Sequence, residues 1–261
     1  MSHVLAISPH LDDAVLSAGA RLFDLAGQGA TVTVVTLFAG ASAPPHSTLA
    51  ELFHAEWQLG DDPVPQRHLE DRRALGLLGA EPVHGPFLDV IYRTGRDGSW
   101  LMDIGGTSQE YDADDEPELI ARLAEAVGEQ VARERPDLVL TCAAVGEHID
   151  HRRTRDAVLT AVGAAVPVQC WEDLPYAHQT AERPELLSAG GFAAPVAEPA
   201  SDAAWEAKYR AIAEYRSQHS MLWPSGEDFR PSFDRHATGH ASGGGRAELF
   251  WPVRPGGHGP G

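Results

Sequence analysis

The stretch SPHLDDAVLSAG, residues 8–19, follows directly on the apolar run Val4, Leu5, Ala6 and Ile7. A short apolar run closed by Ser and Pro is the pattern of a buried strand. Val15, Leu16, Leu22, Phe23 and Ala26 then recur on one stripe at helical spacing. Asp12 or Asp13 therefore opens a helix to about Ala26. Acids in its first turn suit the positive end of the helix dipole, and Gly27 and Gly29 stop it. Gly19, a small residue within the stripe, marks close packing against the sheet. An imidazole, His10, and two adjacent carboxylates thus stand where a strand hands over to a helix, a poor place to hide charge and a good place to hold a cation.

Outward from this junction the alternation continues. Thr31 to Phe38 (TVTVVTLF) is β-branched and bounded by glycines, a second strand. Residues 41–66 are punctuated by Pro44, Pro45, Pro63 and Pro65, with one short helix near 48–58. A helix is expected from about Arg67 to Leu78, a strand over Val83–Val90, an amphipathic helix over Glu116–Glu134 and a buried strand over Asp137–Cys142. Helix resumes at about Arg152, followed by strand at Val168–Trp171, helix at Ala203–His219 and a last strand at Ala247–Val253. Residues 93–115 and 172–202 read as surface segments. Strands alternating with helices indicate an α/β layer fold with a mainly parallel sheet, in which ligands sit beyond the carboxyl ends of strands. The chain is read as a single domain, 1–261, flexible at 239–247 and 254–261.

Composition narrows the function. The 261 residues are 43% hydrophobic and 22% charged, ordinary for a globular protein able to bury a sizeable core. No apolar stretch approaches the roughly 18 residues of a membrane span, and no secretory signal precedes the first strand. A net charge of −18 argues against nucleic acid, which needs clustered Lys and Arg. Cys142 and Cys170 are too few and too far apart for a disulfide framework, so both are read as buried free thiols of a cytoplasmic protein.

A second charged junction completes the first. GEHIDHRRT, residues 146–154, follows the apolar run Leu138–Leu140 and supplies His148, Asp150 and His151. A hydrolytic zinc centre takes three protein ligands and keeps one position for water. His10 and Asp13, three apart on a tight turn, with His151 from the second loop, make such a set. Asp12 is then left uncoordinated and suited to accept a proton from water. His148 suits donation to a developing oxyanion, and Asp150 suits orientation of an imidazole. Taken singly, PHLDD also reads as an N-cap by Asp12, and HIDHRR as a solvated helix start. Two imidazoles and a carboxylate suit Fe2+ as well as Zn2+. The first strand–helix turn lacks G-x-G-x-x-G, which sets nucleotide binding aside.

The two motifs together resemble those of the LmbE-like, or PIG-L, N-acetylglucosaminyl deacetylases. SPHLDDAVLSAG is similar to the family's PHPDDE signature, and GEHIDHRRT to its second, His–x–Asp–His motif. TVTVVTLFAG, RHLEDRRALGLLGA and KYRAIAEYRSQ are weaker matches, and the resemblance spans roughly residues 3–220. It implies a Rossmann-like three-layer sandwich, zinc on His10, Asp13 and His151, Asp12 as general base, and His148 as oxyanion-side electrophile or acid. Arg67 and Asp89 fall near positions that hold sugar hydroxyls in the family; otherwise they are an exposed helix charge and a turn residue. The implied reaction is hydrolysis of an N-acetyl group from an N-acetylglucosamine-containing small molecule or glycoconjugate. An amidase of larger N-acyl groups or thiol conjugates is the alternative. A non-catalytic carbohydrate-binding protein is disfavoured, because a pure binder needs neither Asp12 nor His148. Two positions depart from the pattern: Leu11 replaces a proline and Ala14 a glutamate, which weakens the hydrogen bonding around the metal. WEDLPYAH follows a strand end, so Tyr176 and His178 are expected in a surface loop, with contact to substrate as the alternative.

Overall fold

A computed structural model describes residues 2–60, 62–104, 116–162, 164, 166–179, 191–241 and 243–254. The strands are β1 (His3–Ser8), β2 (Thr31–Thr36), β3 (Glu81–His84), β4 (Leu138–Cys142), β5 (Val168–Trp171), β6 (Val196–Pro199) and β7 (Ala247–Pro252). They form one sheet in the order β3-β2-β1-β4-β5-β7-β6. The first five run parallel, and β7 is antiparallel to both β5 and β6. Strands β1, β2 and β4 are almost wholly buried because both their faces are covered, whereas β3 at the edge is not. The helices are α1 (Asp13–Gly27), α2 (Thr48–Trp57), α3 (Val64–Leu78), α4 (Pro117–Glu134), α5 (Ile149–Ala161), α6 (Tyr176–Gln179), α7 (Asp202–Ile212), α8 (His219–Leu222) and α9 (Arg230–His240). Helices α1, α3 and α7 pack on one another, α4 pairs with α5, and the two groups flank the sheet. The chain is thus the α/β layered fold expected.

Winding reverses beside β1. The chain leaves β1 through α1 to β2 and β3 on one side, then returns to β4 and β5 on the other. The register Val4↔Leu138 to Ile7↔Thr141 brings the carboxyl ends of β1 and β4 level. The loops that follow, 9–12 and 143–148, therefore open side by side at a topological switch point, where such sheets bind ligands.

Several boundaries differ from expectation. The strand foreseen over 83–90 ends at His84: Pro86 has no N–H to donate, and a side chain at Gly85 would meet the Leu37 carbonyl at 2.6 Å. Residues 90–92 instead form a turn of 3₁₀ helix. Helix α3 starts earlier, at Val64, with Pro65 in its first turn, where a missing N–H costs nothing. The surface segment 172–202 contributes α6 and the edge strand β6, while residues 180–190 of it lie outside those described. The expected helix 203–219 stops at Ile212. Of the segments expected to be flexible, Gly239 and His240 fall inside α9 and Ala247 inside β7, and 255–261 lie outside the described residues. Cys142 and Cys170 are buried free thiols.

Gly19 packs against α7 rather than the sheet: a Cβ there would meet Lys208 Cγ at 3.1 Å. Lys208, the chain's single lysine, is fully buried. Its Nζ donates to Glu248 Oε1 at 2.7 Å, and Glu248 also accepts from the Ala20 and Arg21 amides. The pair joins α1, α7 and β7. Removing one partner of a buried ion pair strands the other. Glu248→Ala should therefore lower stability by about 3–5 kcal/mol in a denaturant melt. Adding Lys208→Met should restore part of that loss, and no recovery would mean the cost lies elsewhere.

Candidate metal centre

His10 sits in the loop from β1 to α1, fixed by its own neighbours. Ser8 Oγ donates to the His10 carbonyl at 2.8 Å and accepts from the Ala14 amide at 3.2 Å. The His10 amide donates to Asp13 Oδ2 at 2.9 Å. From the other loop, His148 caps α5, its Nδ1 accepting the Asp150 amide at 3.2 Å. These local hydrogen bonds bring the His10, His148 and His151 rings together, with centroids 5.1–5.4 Å apart.

Two of the rings are held alike. His10 Nε2 donates to Asp150 Oδ2 at 3.2 Å, which leaves the neutral ring's lone pair on Nδ1, 3.2 Å from Asp13 Oδ2. His151 Nδ1 donates to Asp173 Oδ1 at 2.7 Å, leaving Nε2 also 3.2 Å from Asp13 Oδ2. His151 is fully buried, and its Nε2 makes no hydrogen bond. An orphaned imidazole nitrogen in the interior is costly unless something accepts its lone pair. Ligand atoms around zinc at 2.0–2.1 Å lie about 3.3 Å apart. The two 3.2 Å separations match that edge, and each imidazole has the carboxylate partner that metal-bound histidines use. His10, Asp13 and His151 therefore fit a divalent cation. Electrostatics agree. Burial opposes a charged ring, yet Asp89, Asp13 and Asp150 hold His10 well above its usual range, and Asp13 and Asp173 hold His151 at about 9.

Asp12 precedes α1 in the N-cap position, but its side chain makes no capping bond. Burial and then Asp13 push its carboxyl up to about 6, against the pull of Arg67 and His10. That is the character of a proton acceptor near neutrality. His148 is pushed down to about 3 by burial and then by His10 and His151. With Nδ1 accepting from the Asp150 amide, its ring proton lies on Nε2. The ring is thus a neutral hydrogen-bond donor. Asp150, fully buried, also accepts from Arg93 at 2.7 Å and from the Val90 amide at 3.0 Å. Burial alone would raise its pKa, but Arg93 and His10 hold it well below the carboxylate range.

Asp89 caps the 90–92 turn and lies 3.6 Å from His10 Nε2, inside the centre. Arg67 on α3 is half-buried, its guanidinium over the Trp57 ring at 4.7 Å. A cleft of about 850 Å³ opens beside Arg93, walled also by Phe87, Leu88, Tyr92 and Glu116.

Sequence reasoning missed two residues here and gave a third the wrong leading assignment. Asp173, which holds His151, announced itself only as an acid just past the end of β5. Arg93, which pairs with Asp150 and Glu116, looked like any loop arginine. Tyr176, expected on the surface, packs edge-on against His151 at 5.4 Å. A Cβ at Gly146 would meet the Tyr176 ring at 2.7 Å, so that glycine is required both for space and for its φ of 88°.

Comparison with known proteins identifies the family. Residues 5–162 match the family PIG-L, described as GlcNAc-PI de-N-acetylase. The chain is similar to the structure of the zinc inhibited form of teicoplanin deacetylase, with 40% identity, 97% of this chain and 98% of that one covered, and a TM-score of 0.89. It is similar to A40926 pseudoaglycone deacetylase, with 39% identity, 99% and 98% covered, and a TM-score of 0.81. It is also 32% identical over 188 residues to 2'-N-acetylparomamine deacetylase of Streptomyces fradiae, covering 67% of this chain and 58% of that protein's length.

Asp173→Asn keeps every ligand but weakens the brace on His151. Metal affinity, measured by competition with a chelator, should fall about 10–100-fold. Unchanged affinity would show that Asp173 does not orient the ring.

Proposed function

This chain belongs to the PIG-L family, and from that premise we propose that it is a zinc-dependent N-deacetylase acting on an N-acetylglucosamine-type sugar of a glycoconjugate. The observation that carries the proposal is the buried His151 Nε2, which makes no hydrogen bond and stands 3.2 Å from Asp13 Oδ2, beside Asp12, an N-cap acid whose side chain makes no capping bond. The teicoplanin and A40926 pseudoaglycone deacetylases to which the chain is similar along nearly its whole length favour a glycoconjugate acceptor over a free sugar. Among the described residues no helix is long and apolar enough to cross a membrane. Two buried free thiols support a reducing, cytoplasmic setting.

When bound to His10, Asp13 and His151, zinc supplies Lewis acidity that makes water nucleophilic near neutral pH. The chain's own residues do the rest. Asp12 takes the proton from the attacking water as its oxygen bonds to the acetamide carbon. His148, neutral and carrying its proton on Nε2, donates a hydrogen bond to the carbonyl oxygen as negative charge develops there. Asp12 returns the proton to the nitrogen, the C–N bond breaks, and acetate and the free amine leave. Asp150 and Asp173 keep both ligand rings in register, while Asp89 and Arg67 are the groups proposed to meet the sugar hydroxyls.

Asp12→Asn should retain zinc and lose activity by about 10²–10⁴-fold. His148→Ala should lose about 10²–10³-fold, again with metal bound. Normal turnover by the Asp12→Asn protein would remove that residue from the mechanism. Substrate class is tested by acetate release from N-acetylglucosaminyl glycopeptides set against longer N-acyl analogues. Acetate should be released readily; turnover of the long-chain compounds alone would make this an amidase of larger acyl groups.

A further inference from the structure

Glu172 and Asp173 are consecutive, yet they serve different clusters. Asp173 braces His151, whereas Glu172, with 3% of its side chain exposed, turns toward α9. Its Oε2 lies 2.6 Å from His236 Nε2 and 3.0 Å from His240 Nε2. The histidines, four apart, share one face of α9. Their Nε2 atoms are 3.2 Å apart and their rings nearly perpendicular, at 83°.

Three side chains thus aim one donor atom each at a common point. Hydrogen bonding alone leaves a conflict there. If both Nε2 atoms carry protons, two N–H groups crowd one carboxylate oxygen with like ends 3.2 Å apart. If one does not, its lone pair faces that oxygen at 2.6 or 3.0 Å. A cation in the middle removes the conflict, because all three groups then act as lone-pair donors. Two imidazoles and one glutamate are a zinc ligand set that leaves a position for solvent. The rings, 18% and 20% exposed, admit it. A cavity of about 10 Å³ touches Glu172 and His236, room for about one water. His178 packs edge-on against His236 at 4.9 Å.

We infer that Glu172, His236 and His240 form a second zinc site, separate from the His10, Asp13 and His151 centre, which ties α9 to the end of β5. The helix has reason to need such a tie. Of its eleven residues only Phe233 and Ala237 are buried, and its N-cap makes no side-chain bond.

The test strips metal from the full chain with a chelator, adds back zinc chloride and counts bound zinc after gel filtration. The wild type should hold about two ions, and both the Asp13→Ala/His151→Ala and the His236→Gln/His240→Gln proteins about one. So that the outcome does not depend on the folding of the histidine double variant, the decisive arm is the Asp13→Ala/His151→Ala protein. Zinc should raise its melting temperature, and His240→Gln added to it should abolish that shift. Loss of all zinc from the Asp13→Ala/His151→Ala protein, or a wild-type zinc count in a folded His236→Gln/His240→Gln protein, would overturn the second site.

Discussion

Five carboxylates gathered around two imidazoles are the constraint on which the rest of the structure turns. Asp12, Asp13, Asp150 and Asp173 are buried, and Asp89 stands beside them. Each buried carboxylate costs several kcal/mol unless charge or hydrogen bonds answer it. Arg93 and the Val90 amide answer Asp150, and the Val145 amide answers Asp173. What remains falls on His10 and His151, and the surrounding acids raise the pKa of both rings against the effect of burial. That concentration of negative charge is what a divalent cation would answer. The crossover between β1 and β4 makes this gathering possible, since it aligns two strand ends and leaves both loops unobstructed.

Those loops are held in a backbone that few sequences would choose. Between β4 and α5, Ala144, Gly146 and Glu147 take φ values of 63°, 88° and 57°. A non-glycine residue in the left-handed region costs roughly 1–2 kcal/mol. The turn is kept by the Val145 amide on Asp173, by the Glu147 amide on the Ala144 carbonyl, and by Tyr176 lying against Gly146. The strain delivers His148 to the first turn of α5 with its Nδ1 on a backbone amide, which sets the tautomer. Asp173 thus fixes two things together, the ring of His151 and the loop that carries His148.

How far the sequence disclosed this follows from how local each feature is. Strand β5 and helices α1, α2 and α4 were legible to within a residue or so, because an apolar run or stripe with its terminators is contained in the segment itself. The α/β class and the grouping of the two His/Asp loops followed from alternation and from the rule about carboxyl ends. Strand β6 was not legible: Val-Ala-Glu-Pro has no pattern of its own and becomes a strand only by pairing with β7. Helix α9 was missed because its apolar anchors are just Phe233 and Ala237. The partners Asp173, Arg93 and Tyr176 lie far in sequence from what they touch. Glu172 with His236 and His240 is the same case: HATGH shows two histidines at helical spacing, but their carboxylate comes from a strand end about 65 residues earlier.

The two departures from the family signature find their physical reason here. Leu11 is 5% exposed and joins the main hydrophobic cluster, so it contributes burial where a proline would contribute rigidity. Ser8 supplies the rigidity instead, bonding the His10 carbonyl and the Ala14 amide across the turn. Ala14 is 2% exposed in the same cluster, where a glutamate would need a buried partner of its own. The expectation that its loss weakens the hydrogen bonding around the metal does not carry through to the ligands. Each imidazole proposed as a ligand already has a carboxylate on its far nitrogen, Asp150 on His10 and Asp173 on His151. A glutamate at position 14 would add a sixth acid to a centre that balances five, and the alanine leaves that balance intact.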